Sequence, residues 1–279
     1  MDTRMTRRAV GDVTSVWRCA CPAAASRWTA SLVVHLPKCA RSRSLSPADQ
    51  IWAGTGARFR TSSGAVVALP ARYTSGAREM YCRNVYLRTG LTMPTDGWVV
   101  DLGANRGLFS VWAAVSGAQV VAVEAQAGFA PMIAALAAHN AVTERVRVEI
   151  GVASGVCTSG AASGVVGDDL RWAATSHGLP TRPPNLSVPQ VMSKYEIDRL
   201  RLLKMDIEGG EFAVLAANDD LRWLARVDQV ALEVHRDHGD VAALLERLRH
   251  HGFSVDLRDN DGNCAVANSG NVDYAYCRR

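Results

Sequence analysis

Asp206, Glu208, Glu233 and His235 are the residues whose types and spacing could do chemistry on a small molecule. Asp206 and Glu208 stand in Leu203-Lys204-Met205-Asp206-Ile207-Glu208-Gly209-Gly210-Glu211, and Glu233 and His235 follow the apolar run that begins at Val230. A hydroxyl loses its proton far above neutral pH, so a reaction at its oxygen needs a base or a cation as the new bond forms. The histidine side chain titrates close to neutrality, which makes His235 the candidate base. Asp206 and Glu208 are placed to accept hydrogen bonds from a substrate or from an amine. Together the four side chains also offer oxygen and nitrogen ligands to a divalent cation. Their spacing does not demand one, so no metal is assigned and Mg²⁺ stays an open, less favoured reading. Glu211 reads as an acid placed favourably at a helix N-terminus.

A second set of residues suits ligand binding. Trp98–Gly107 reads WVVDLGANRG: an apolar run ending in Asp101 and Leu102, then Gly103, Asn105 and Gly107. The run fits a strand buried on both faces, and a helical-period segment from Leu108 to Val115 follows it. Strand, glycine turn and helix let a ligand approach the carboxyl edge of a sheet. G-x-N-x-G is not the G-x-G-x-x-G that cradles a dinucleotide pyrophosphate, and Asp101 would repel a phosphate. It suits a cationic or neutral donor instead, such as the amino-acid end of S-adenosylmethionine. Gln119–Val123 is a second apolar strand ending in Glu124, an acid placed to accept both hydroxyls of an adenosine ribose.

Val100-Asp101-Leu102-Gly103-Ala104-Asn105-Arg106-Gly107 resembles the opening motif of FkbM-family methyltransferases. Leu203–Glu211 with Phe-Ala-Val-Leu215 after it resembles a second motif of that family, roughly L-K-x-D-x-E-G-x-E-x-x-V-L. The likeness runs from about Ala71 to the C-terminus. It implies a class I methyltransferase fold, S-adenosylmethionine as cofactor, and usually a hydroxyl as methyl acceptor. It also implies cofactor contacts from Asp101, Gly103, Asn105, Gly107, Glu124, Ala125 and Asp206. Ala153, in Gly151–Ser154, falls where the family meets the adenine. The expected activity is O-methylation of a sugar or secondary-metabolite hydroxyl. Methylation at nitrogen or carbon, and a binding protein that keeps the cofactor fold without turnover, are the alternatives.

These residues need an α/β scaffold to bring them together, and the pattern supplies one. Strands at Trp98–Leu102, Gln119–Glu124, Arg145–Ile150, Arg201–Asp206 and Val230–Glu233 alternate with helical segments. The helices are expected at Phe129–Asn140, Val188–Tyr195, Glu211–Leu224 and Val241–His250. Such alternation gives a Rossmann-like, mostly parallel sheet with helices on both faces. Phe253–Leu257 and Tyr274–Tyr276 close it as an antiparallel C-terminal hairpin. Residues 98–279 form the methyltransferase domain on this reading, with 155–188, rich in Gly, Ser, Thr and Pro, as an inserted flap. Residues 51–97 read as a hairpin around Ser62-Ser63-Gly64 and a polar-aromatic helical cap over Arg72–Thr89, whose tyrosines reach either the sheet or the ligand.

Composition narrows the function classes. Of the 31 basic and 27 acidic residues, eight basic and three acidic ones lie in residues 1–50, so the other 229 residues carry 23 and 24. A body this close to neutral gives no footprint for nucleic acid, and a small-molecule substrate is expected. Residues 1–50, rich in Arg, Ala and Ser, read as a poorly ordered basic extension. Seven scattered cysteines in a chain of 279 residues do not make a disulfide framework. Cys19, Cys21, His35 and Cys39 are read as free side chains rather than a zinc set. With no apolar run of membrane length and no leader pattern, the expected location is the cytoplasm, away from membranes.

Overall fold

In a computed structural model of the chain, residues 3–42, 44–73, 76–155, 183–216, 220–267 and 270–279 are described. Three helices come first: α1 (Thr3–Cys19), α2 (Pro22–Ser42) and α3 (Ser46–Thr55). A hairpin follows, β1 (Ala57–Arg60) against β2 (Val66–Leu69). The α/β body alternates β3 (Trp98–Leu102), α4 (Leu108–Ser116), β4 (Gln119–Glu124), α5 (Ala130–His139) and β5 (Val146–Ile150). After the short strands β6 (Val152–Ala153) and β7 (Asn185–Leu186) come α6 (Val188–Lys194), β8 (Leu200–Met205), α7 (Glu211–Val214) and β9 (Gln229–Glu233). The body ends with α8 (Val241–His250), β10 (Ser254–Arg258) and β11 (Tyr274–Arg278).

The main sheet has seven strands in the order β10-β11-β9-β8-β3-β4-β5. Strands β3, β4, β5, β8 and β9 run parallel, and β11 lies antiparallel between β9 and β10. The expected mostly parallel sheet with an antiparallel C-terminal pair is therefore present. The chain winds outward from β3 through β4 to β5, then returns to β8 on the other side of β3. That reversal makes the carboxyl ends of β3 and β8 the place where a crevice opens.

Period-2 alternation sorts the strand side chains between two apolar layers. Val99, Val120, Leu202 and Ala231 face the layer built with α2, α3, α4 and the hairpin. Val100, Leu102, Val121, Leu203 and Met205 face the layer built with α6, α7 and α8. Both faces are covered, which is why these strands read as continuous apolar runs.

The N-terminal region corrects the expectation of a poorly ordered extension over residues 1–50. Ala24, Ala25, Trp28, Ser31, Leu32 and Cys39 form one buried stripe of α2. Arg27, Lys38 and Arg41 stay on its exposed side. Trp28 donates its indole N–H to Asp49 at 2.7 Å, and Trp52 donates to the carbonyl of Ala24 at 3.1 Å. Arg78, 1% exposed, bonds Asp12 at 2.7 Å and Asp49 at 3.0 Å. Buried charges are tolerated only when paired in this way.

Aromatic rings continue the link inward. Trp28 meets Trp52, then Phe59, Tyr81, Trp112, Phe109 and finally Tyr86, with successive centroids 5.0–6.2 Å apart. The helices expected to be a loose tail are thus the outer end of the layer that supports Tyr86. Cys19 lies against Cys82 and is buried, as is Cys39.

Two further expectations change. The helical cap over Arg72–Thr89 reduces to one π-helical turn, Arg78–Cys82, among turns and loop. The helix expected at Glu211–Leu224 stops at Val214, and a 3₁₀ segment, Leu221–Arg226, leads into β9. Most of the flap expected at 155–188, namely 156–182, lies outside the described residues. Among the described residues no helix is long and apolar enough to cross a membrane.

Candidate active site

The turn after β3 is held from below by a lysine. Lys204, second to last in β8 and 2% exposed, donates to the carbonyl of Gly103 at 2.8 Å and lies 3.1 Å from Asp101. Burial works against its charge, but Asp101 and Asp206 outweigh that and raise its pKa. Asp101 is fully buried, and its other oxygen accepts from the Ser110 hydroxyl at 2.6 Å. Here the structure departs from the sequence reading. Asp101 sits beneath the turn, tied to Lys204 and α4, and does not open toward a cofactor amine. The reason is register: Asp101 pairs with Lys204 across β3 and β8, so the charges satisfy each other.

Gly103 is also required by the scaffold. A Cβ there would lie 1.8 Å from the Asp206 carbonyl oxygen, and its φ is +74°. Only glycine lets the tips of β3 and β8 approach this closely. Its amide and that of Ala104 donate to the Val123 carbonyl at 3.0 and 3.1 Å, so both are spent inside the turn. Gly107, at φ +82°, lies under Ile133, and exposed Asn105 takes the left-handed conformation at φ +50°.

Glu124 closes β4 and is 6% exposed. Its two oxygens accept backbone N–H bonds from Asn105 at 2.7 Å and Gln126 at 2.8 Å. Burial raises its pKa, and these two bonds partly offset that. A carboxylate offers about four acceptor positions, so two remain. That donor-seeking rim beside Asn105, with half-buried Ala125 next to it and Ala153 half-buried in β6, fits the ribose and adenine end of S-adenosylmethionine.

The acid–base cluster gathers at the ends of β8 and β9. Glu211, fully buried, accepts from the backbone N–H of His235 at 2.8 Å and of Gly209 at 3.0 Å. The same Glu211 oxygen that meets the His235 backbone lies 2.8 Å from its ring Nδ1. Glu211 is thus an orienting partner of His235, which the helix-terminus reading missed. On the other side of the ring, Nε2 lies 3.4 Å from Glu208 and 3.9 Å from Asp206. Burial disfavours the imidazolium, but Glu211, Asp206 and Glu208 outweigh it and hold His235 up at about 9. His235 thus sits above the ordinary imidazole value assumed in the sequence reading, because three carboxylates surround its ring.

Tyr86 joins the cluster from the loop before β3. Its hydroxyl lies 2.7 Å from both an Asp206 and a Glu233 oxygen. The one hydroxyl proton is shared between two crowded carboxylates. Burial and the neighbouring Asp206 push Glu233 up to about 7. Only the tyrosine-rich composition of Arg72–Thr89 hinted at this contact. Among the described residues, Asp206, Glu208 and His235 bring three ligand atoms within 4.8 Å of one another, while Cys19, Cys21, His35 and Cys39 do not assemble as such a group. Of the four ligands considered from sequence, Glu233 is set apart by its bond to Tyr86.

Comparison with known proteins identifies the family. The profile of the methyltransferase FkbM domain matches residues 101–255, from Asp101 to the start of β10. The 31-O-demethyl-FK506 methyltransferase FkbM of Streptomyces tacrolimicus is 31% identical over 216 residues, covering 64% of this chain and 80% of that one. The AMB antimetabolite synthetase AmbE of Pseudomonas aeruginosa is 30% identical over 233 residues, which cover 66% of this chain and 11% of AmbE. The chain thus spans about a tenth of AmbE's length. Among solved structures, the METTL16 MTase domain aligns with a TM-score of 0.43 at 14% identity, over 83% of this chain and 79% of that one. Matched over more than half its length, the chain belongs to the FkbM family and is an S-adenosylmethionine-dependent methyltransferase.

Proposed function

We propose that the enzyme methylates a hydroxyl oxygen on a small, hydroxyl-rich metabolite such as a glycoside or other secondary metabolite. One observation carries this reading. Asp206, Glu208 and His235 converge at the strand ends beside the cofactor turn, and all three are at least partly open to solvent. A cluster this rich in carboxylate oxygens suits an acceptor that donates hydrogen bonds through hydroxyls. The name of the Streptomyces tacrolimicus relative, a methyltransferase of 31-O-demethyl-FK506, supports oxygen as the acceptor atom.

When bound, S-adenosylmethionine supplies a methyl group that leaves a sulfonium sulfur, which keeps the electron pair, as the acceptor oxygen bonds to it. Glu124 would hold the cofactor's ribose hydroxyls, Asn105, Gly107 and Ala125 would shape the approach, and Ala153 would line the adenine side. Asp206 and Glu208 orient the acceptor hydroxyl and draw its proton into the carboxylate cluster. Glu211 fixes the His235 ring in this arrangement. Lys204 and Asp101 keep the turn rigid from beneath. Rigid placement matters because in-line transfer depends on geometry more than on acid–base strength.

Incubation with methyl-labelled S-adenosylmethionine and a panel of glycosides and polyketide alcohols tests the proposal. The label should appear as a methyl ether, and Asp206→Asn should lower kcat by roughly 10²–10⁴. Label found only on amines or carbon would sink the O-methylation reading.

A further inference from the structure

The same cluster contains more than an acceptor site needs. Nδ1 of His235 is committed to buried Glu211 at 2.8 Å, and so are two backbone N–H groups around it. This is the outer partner that fixes a ligating histidine's ring and tautomer. The ring's other nitrogen, Nε2, faces Glu208 at 3.4 Å and Asp206 at 3.9 Å. Both separations exceed a hydrogen bond. Ligands about 2.0–2.2 Å from a shared cation stand roughly 3.0–3.5 Å from one another, so a small inward movement of Asp206 completes the set. Charge points the same way. Asp206, Glu208, Glu211 and Glu233 crowd one histidine and one lysine, and Lys204 lies closer to Asp101, at 3.1 Å, than to Asp206, at 3.8 Å.

We propose that Asp206, Glu208 and His235 bind one divalent cation of the first transition row, Mn²⁺ or Zn²⁺ in class, rather than Mg²⁺. Imidazole nitrogen suits Zn²⁺ and the carboxylate oxygens suit Mn²⁺, which stands above Mg²⁺ in tolerating a nitrogen ligand, whereas an all-oxygen set suits Mg²⁺. Three protein ligands leave coordination positions open, and Glu208, with its side chain 88% exposed, marks the open side. The acceptor hydroxyl enters there, and the cation lowers the cost of its deprotonation. The inference rests on the reading that this cluster faces the methyl acceptor. It assigns Tyr86 and Glu233 a separate task, holding the second oxygen of Asp206 through the 2.7 Å hydroxyl contact.

Mn²⁺ titration of EDTA-dialysed protein, with free Mn²⁺ followed by electron paramagnetic resonance, tests the site without any need for an acceptor. Wild type should take up one Mn²⁺ per chain, and equimolar Zn²⁺ should displace it. Glu208→Gln, a change at an exposed side chain that leaves the fold intact, should weaken binding about 10–100-fold; Glu211→Gln, read only under conditions where circular dichroism shows it folded, should do the same. S-adenosylhomocysteine titrated into the same metal-free samples separates the two claims. S-adenosylhomocysteine binding combined with Mn²⁺ uptake no stronger than in Asp206→Asn/Glu208→Gln would overturn the cation site alone. Stoichiometric, Glu208-dependent Mn²⁺ uptake without S-adenosylhomocysteine binding would uphold the cation site while removing the cofactor assignment.

Discussion

Replacing Glu211 by glutamine keeps its size and removes its charge, and the structure says what that should cost. One Glu211 oxygen accepts from the His235 backbone and faces the His235 ring, while the other accepts from Gly209. An amide has one acceptor oxygen, so either orientation turns an NH₂ toward a backbone N–H. One buried donor is then stranded, at about 1–3 kcal/mol, and the bond to the imidazole loses its charged partner, about 1.5–3 kcal/mol more. The expected loss is roughly 3–5 kcal/mol, the range for breaking a buried pair. Urea unfolding in EDTA, read by the shift in midpoint at constant slope, measures it. Pairing Glu211→Gln with His235→Asn isolates the ring contact, since contacting residues do not add. A coupling of about 1.5–3 kcal/mol is expected. Wild-type stability in Glu211→Gln, or strict additivity in the cycle, would refute the orienting role.

Deleting residues 1–50 should abolish soluble expression or lower the melting temperature sharply, because Arg78 loses Asp12 and Asp49 together; a melting point unchanged in calorimetry would return the region to a loose tail. Gly103→Ala should destabilise the chain, since the left-handed backbone alone costs about 1–2 kcal/mol and the new Cβ meets the Asp206 carbonyl; unfolding midpoints matching wild type would contradict the close approach of β3 and β8. The metal-free His235 ring should titrate near pH 9 by NMR. Raised above its ordinary 6.5, this group stabilises the fold fully below about pH 6.5 and loses that contribution as pH rises through about 9. A ring titrating at or below 6.5 would contradict the geometry around Nε2.

The strands were legible because burial on both faces leaves continuous runs such as Trp98–Leu102 and Gln119–Val123, and their carboxyl ends located Glu124, Asp206 and His235. Roles set by what lies across a strand were not legible. Asp101 and Lys204 are 103 positions apart, and only the parallel register of β3 with β8 shows that they neutralise each other. Glu211 looks like any acid at a helix start until β9 brings His235 against it. Tyr86 sits in a loop without periodicity and reaches Asp206 because Phe109 and Tyr274 wedge its ring in place. In α2 the stripe of Ala24, Trp28, Leu32 and Cys39 has helical spacing, but arginines and alanines around it dilute the apolar signal. The fold came from local pattern, the site from long-range pairing.

The proposed chemistry depends on the cofactor lying against the tip of β4, and calorimetric titration with S-adenosylhomocysteine tests that most directly. Wild type should bind one molecule per chain. Glu124→Gln, which keeps one backbone acceptor but gives up the charge, should weaken binding by about 1.5–3 kcal/mol, tenfold or more. The loss should shrink for a 2′-deoxyribose analogue. No binding by the wild type, or equal affinity in Glu124→Gln for both ligands, would contradict the placement of the ribose on Glu124.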